Sequence, residues 1–67
     1  MTYPDFKIAI QSELAKRRPA GATWEELRVG LDLPYKRPCP EWTKRLETDI
    51  GLKRLKMSSR ALVWHLP

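Results

Sequence analysis

The sequence predicts a small α+β fold, three helices followed by a C-terminal β-hairpin, and three observations predict it. Apolar residues recur every four positions in two stretches, Phe6, Ile10, Leu14 and Trp42, Leu46, Ile50, as one face of an α-helix requires. After Gly51 the period changes to two, with Leu62, Trp64 and Leu66 alternating against Ala61, Val63 and His65. Between the helical stretches, Pro34, Pro38 and Pro40 fall within seven residues, which excludes a helix interior there. At 67 residues the chain reads as one domain, residues 1–67, too short for a second domain or a solenoid.

The first helix is expected over Thr2 to Arg18. Thr2 and Asp5 stand at capping-box spacing, with Asp in place of the usual Glu, and Pro4 fits a first turn whose amide has no helical acceptor. Pro19 and Gly21 end it. Thr23, Trp24, Glu25 and Glu26 form a fuller capping box, which starts a short second helix turning Trp24, Leu27 and Leu31 inward. Gly30 weakens that helix, and Asp32 to Pro34 close it. The interval from Pro19 to Thr23 leaves room for a short strand before helix 2.

Pro34 to Pro40 is expected as an extended, basic surface loop. Pro40 suits a first helical position and Glu41 the positive end of the helix dipole, so a third helix of about three turns follows. Gly51 should end it in the left-handed conformation, with Leu52 packed back on the last turn. Leu52 to Met57 and Arg60 to Leu66 then form the two arms of the hairpin, separated by Ser58 and Ser59.

Thirteen Lys and Arg against eight Asp and Glu give a net charge of +5, which points to an acidic partner. Nucleic acid and an anionic membrane surface both fit, as does a charge kept only for solubility. The distribution is more informative than the total. Residues 1 to 34 net to zero, whereas residues 35 to 67 hold eight basic and three acidic groups. The surplus therefore falls on the proline loop, the third helix and the hairpin.

Other classes are disfavoured. Cys39 and His65 are the only residues of their types, so one chain cannot assemble a disulfide or an all-protein Cys/His zinc site. No apolar run is long enough to span a membrane, and residues 1 to 5 lack the basic-then-apolar pattern of a leader. A cytoplasmic protein without membrane contact is expected. There is no glycine-rich phosphate loop, HExxH or CxxC, so neither an enzyme, a metal nor a cofactor is expected.

The order of elements, the capping-box start at Thr23 to Leu27, the helix Trp42 to Ile50 closed by Gly51 and Leu52, and the basic hairpin together resemble the winged helix-turn-helix DNA-binding domains. The resemblance covers Tyr3 to Leu66. It implies double-stranded DNA as partner and a small transcriptional regulator as the role, with the third helix in the major groove and the hairpin, or wing, on the backbone or an adjacent groove. Carried onto this chain, it makes Thr43, Lys44, Arg45, Glu47 and Thr48 the groove-facing candidates. Lys53, Arg54, Lys56, Ser58, Ser59 and Arg60 belong to the wing, and Lys36 and Arg37 reach phosphates from the loop. Because one module offers only about 600 to 1,000 Å² of DNA interface, a homodimer through helix 1 is the related expectation. The chain departs from the pattern in the interval Leu31 to Glu41, which is longer than a compact helix-turn-helix turn. Glu41, Glu47 and Asp49 also put three carboxylates on the recognition helix. The alternative function is a winged-helix docking module that meets protein within a larger complex, which would present a contiguous apolar patch.

Trp24, Trp42 and Trp64 are expected in the core rather than as stacking platforms. Tyr35 reads equally as a contact residue or as a ring folded over the core. Cys39 is expected as a small side chain buried beneath the loop, and His65 as a solvated edge residue. A nucleophilic Cys39 with His65 as base is the reactive alternative to those two placements.

Overall fold

Both capping boxes form as the sequence predicts. The Thr2 hydroxyl accepts from the Asp5 amide while the Asp5 carboxylate accepts from the Thr2 amide, and Thr23 and Glu26 repeat the exchange at 2.9 and 3.2 Å. The first starts helix α1 (Tyr3–Lys16), and the second starts α2 (Trp24–Gly30). The structure, a computed structural model, describes residues 1–56 and 61–67. Between the two helices Ala22–Thr23 forms strand β1; helix α3 (Pro40–Asp49) and strands β2 (Lys53–Lys56) and β3 (Leu62–His65) complete the order.

The fold is α+β, with three helices packed on one face of a three-stranded antiparallel sheet ordered β1-β3-β2. Register is set by Trp64. It pairs with Ala22 on one side and Arg54 on the other, so its indole and the Ala22 methyl share the inner face. Trp64 is 2% exposed and packs against Trp24 at 5.4 Å between ring centroids. Phe6, Ile10 and Leu14 of α1, Leu27 of α2 and Leu46 of α3 close the core over it. Trp24 and Trp42 lie against this core half-buried.

β3 is the central strand, not an edge, because β1 pairs along its second side. His65 is therefore half-buried with its Nε2 shielded and unpartnered among the described residues, which corrects the expectation of a solvated edge residue. A two-residue strand is enough to cover that edge. Leu62 is also displaced from expectation. It shares the inner face with Trp64 by register, yet is 39% exposed. The arms pair from Lys53↔His65 to Lys56↔Leu62; Ser58 and Ser59, expected between the arms, lie outside the described residues.

The nine residues between α2 and α3 form an anchored connection. Leu33 is buried, Tyr35 sets its ring edge-on to Phe6 and Trp42, and the Trp24 Nε1–H donates to the Lys36 carbonyl at 3.1 Å. These three ties hold the proline segment against the core, with Tyr35 on Phe6 near the start of α1. Asp32, at φ 52°, supplies the left-handed turn that leaves α2. At the far end of α3, Gly51 adopts φ +69° and the Leu52 amide returns to the Leu46 carbonyl at 3.3 Å, as its sequence predicts.

Candidate nucleic-acid interface

The inward arc of α3 is wider than the Trp42, Leu46, Ile50 stripe, because Thr43 joins it. Thr43 is 2% exposed, and its hydroxyl donates to the Cys39 carbonyl at 2.8 Å, one turn back. Its donor is thus spent on the helix's own backbone, which corrects the expectation of an exposed groove-reading side chain, although Thr43 still lines the cleft described next. The signal was present, since position 43 lies one turn before Leu46, but the polar side chain reads as outward until its backbone acceptor is known.

Lys44 and Glu47 stand on the next arc of α3, one turn apart, and line a depression of about 470 Å³. Pro38 and Pro40 form one wall, and Arg54 of β2 closes the other. The Arg54 guanidinium donates to Glu47 at 3.1 Å and lies 6.0 Å from the centre of the Trp64 ring. Four of the expected contact residues, Thr43, Lys44, Glu47 and Arg54, thus line one cleft. One of its two cations is already paired within the protein, and Lys44 has no ion-pair partner among the described residues.

Arg45 and Thr48 belong to a neighbouring depression of about 390 Å³ with Glu41, Lys44 and Asp49. Arg45 is drawn toward α1, its guanidinium 3.9 Å above the Tyr3 ring. The Tyr3 hydroxyl donates to Asp49 at 2.7 Å. Tyr3 therefore holds a cation and a carboxylate one turn apart on α3, and no sequence pattern linked residue 3 to this helix. Burial, then the hydrogen bond to Asp49, push the Tyr3 phenol up to about 12.

The wing cations divide between two faces. Arg54 and Lys56 lie opposite Trp64 and Leu62, so they share the inner face with the cleft; Lys53 lies opposite His65 and points the other way. Arg60, Ser58 and Ser59 lie outside the described residues. Lys36 and Arg37 are exposed in the loop just before Pro38.

Cys39 is exposed rather than buried, which overturns its expected place beneath the loop. The extended backbone alternates sides here. Pro38 and Pro40 face the Lys44 cleft, while Cys39 faces an aromatic pocket made by Phe6, Tyr35 and Trp42. His65 lines a different depression, of about 240 Å³, with Leu14, Arg18, Pro19, Gly21, Leu66 and Pro67. The residues considered as nucleophile and base are thus on separate surfaces. Among the described residues no group of three or more His, Cys, Asp or Glu could hold a metal ion, and no helix is long and apolar enough to cross a membrane.

No protein-family model matches the chain, and searches of curated proteins and of solved structures return no match.

Proposed function

We propose that this chain is a winged helix-turn-helix domain that binds double-stranded DNA without catalysis, in the role of a small cytoplasmic regulator of transcription. The observation that carries this reading is the cleft itself: Lys44 from α3 and Arg54 from the hairpin line one depression at the basic end of the chain. The element order and the β1-β3-β2 sheet support the winged architecture, with β1 as the short strand before the second helix. On this reading α3 enters the major groove by its Lys44, Glu47 and Thr48 arc, Arg54 and Lys56 follow the backbone, and Lys36 and Arg37 meet phosphates from the loop.

The exposed apolar residues favour DNA over a docking module. Among the described residues Met1, Ile8, Val29, Leu55 and Leu62 are exposed, and the last four stand on four different elements. Leu55 and Leu62 also occupy opposite faces of the hairpin by register. They do not supply the contiguous patch a protein partner needs.

The test is an amide chemical-shift titration with a short random-sequence duplex at two salt concentrations. Shifts should cluster on Lys36, Arg37, Lys44 to Thr48 and Arg54 to Lys56, and log affinity should fall with log salt at a slope of roughly −4 to −5. A folded protein that shows no shifts at low salt overturns the reading.

A further inference from the structure

The sheet order β1-β3-β2 leaves β2 with a neighbouring strand on one side only among the described residues. Every second residue of an antiparallel strand turns its N–H and C=O away from its partner, so β2 carries donors and acceptors on its free side. β1 forms the opposite edge, but with two residues it is too short to template another strand. β2 has four, Lys53, Arg54, Leu55 and Lys56, and all are exposed.

The side chains decide which strand can pair there. A second copy of β2, related by a two-fold axis, would set Lys53 against Lys56, Arg54 against Arg54, or Arg54 against Lys56, according to register. Like charges directly opposite one another are destabilising, so the copy is excluded. Cations are a common guard against edge pairing, yet an edge built only to repel would not carry a leucine at its centre. Leu55 is 50% exposed and lies opposite Val63, which is half-buried on the outer face of the sheet. An apolar residue on an added strand would extend that row. Duplex DNA satisfies this edge poorly, because phosphate oxygens only accept hydrogen bonds and leave the strand's carbonyls and Leu55 without partners.

We infer that the free edge of β2 takes an extended acidic peptide segment as a fourth strand. Running antiparallel, the guest meets Lys56, Leu55, Arg54 and Lys53 in turn, a pattern complemented by acidic, apolar, acidic, acidic. Its residues opposite Lys56 and Arg54 lie on the inner face, beside the Lys44 cleft, and those opposite Leu55 and Lys53 on the outer face. Glu47 takes one N–H of the Arg54 guanidinium at 3.1 Å, and the planar fork has further donors for a guest carboxylate. Main-chain hydrogen bonds supply the affinity of strand addition, so no contiguous apolar patch is required. The inference does not rest on duplex binding, although the two ligands share Arg54 and Lys56.

The test is an amide chemical-shift titration of the full chain at low salt with a ten-residue peptide carrying Glu-Val-Glu-Glu at its centre and uncharged polar residues elsewhere. Shifts should centre on Lys53 to Lys56 and pass through the sheet to Leu62 to His65, and the β2 amides should gain protection from hydrogen exchange. The control peptide has the same sequence with the amides of the valine and the following glutamate N-methylated, so that one blocked position faces β2 in either hydrogen-bonding phase. It keeps the charge and should bind about tenfold more weakly. Lys53 points away from the Lys44 cleft, so Lys53→Gln should weaken the parent peptide about two- to fivefold while leaving the salt slope of duplex binding unchanged. That contrast separates failure here from failure of the DNA reading. The control alters the peptide and not the protein, so misfolding cannot obscure it. Equal binding of the N-methylated peptide overturns the inference and leaves only charge attraction. A folded protein that shows no shifts with the parent peptide overturns it too, as do shifts confined to Lys36, Arg37 and Lys44 to Thr48.

Discussion

The phenol of Tyr3 donates to the Asp49 carboxylate at 2.7 Å, joining the first turn of α1 to the last turn of α3. With the Arg45 guanidinium stacked on the same ring, this contact fixes how the exposed arc of α3 is rotated about its axis. The Lys44 and Glu47 arc faces the cleft partly because Arg45 is held to the other side.

The pH dependence of this tie follows from its direction. Burial and the Asp49 hydrogen bond raise the Tyr3 phenol from 10.0 to about 12, so the folded state favours the neutral form. The resulting stability is complete below pH 10.0, the unfolded value, and is lost as pH rises through about 12. Tyr3→Phe should cost about 1 kcal/mol at neutral pH, since Asp49 is exposed and is not left desolvated. Its melting temperature should fall less steeply than the parent's over that alkaline window. Parallel curves in thermal melts across the window would show that the Tyr3 hydroxyl does not titrate with folding.

At Thr23 the strand and the helix share one residue. Its hydroxyl caps α2, and its backbone pairs with Val63 as the last residue of β1. Thr23→Ala should cost about 1 kcal/mol, a drop of roughly 4–8 °C in a domain of this size. The Thr23 amide holds the Glu26 carboxyl below the usual range, with its hydroxyl and Arg17 adding to the effect. That contribution is present above the ordinary carboxylate range and is lost as pH falls through the lowered value. Glu26→Gln should therefore flatten the acid side of the stability profile in urea melts at graded pH.

Elements with local causes were legible in the sequence. Thr2 with Asp5, Thr23 with Glu26, and Gly51 with Leu52 declared their caps within a few residues, and the structure has all of them. What depends on distant pairing was not legible. His65 was read as an edge residue because nothing local reveals that Ala22 and Thr23 cover the far side of β3. Leu62 follows the inward alternation yet is exposed, because period sets which face a side chain takes and not what covers that face. In the candidate site Lys44, Arg54 and Lys56 could be read from charge alone. The Arg54 to Glu47 pair and the Tyr3 hold on Arg45 join separate elements and could not.

Two glycines should respond to alanine in opposite directions. Gly21 has φ +76°, and a Cβ there would collide with the Trp64 carbonyl oxygen and come within 2.7 Å of His65 Nδ1. Left-handed strain adds to overpacking against the central strand, and Gly21→Ala should cost about 3 kcal/mol or more. Gly30 is the last residue of α2, where an added Cβ would be in ordinary contact with the Arg17 guanidinium at 3.4 Å. Gly30→Ala should stabilise by roughly 0.5–1 kcal/mol. Chemical denaturation of both variants checks the pair, and a stabilising Gly21→Ala would mean that β1 does not approach β3 this closely.

The ion pair inside the cleft gives the DNA reading its sharpest consequence. Glu47 neutralises Arg54 and places a carboxylate where phosphates would pass. Glu47→Gln removes that charge and frees the guanidinium. The pair is exposed, so its loss should cost no more than about 1 kcal/mol of stability. Duplex affinity should rise roughly three- to tenfold, and the salt slope should steepen by about one as Arg54 gains a phosphate. Lys44→Ala should weaken binding by a similar factor and make the slope shallower by about one. Fluorescence anisotropy with a labelled duplex at several salt concentrations measures both. If Glu47→Gln instead weakens binding, and only for duplexes with cytosine at one position, Glu47 is itself a base contact accepting from the cytosine amino group, and Arg54 serves to aim it. If affinity and slope are unchanged in both variants, the cleft is not where DNA binds.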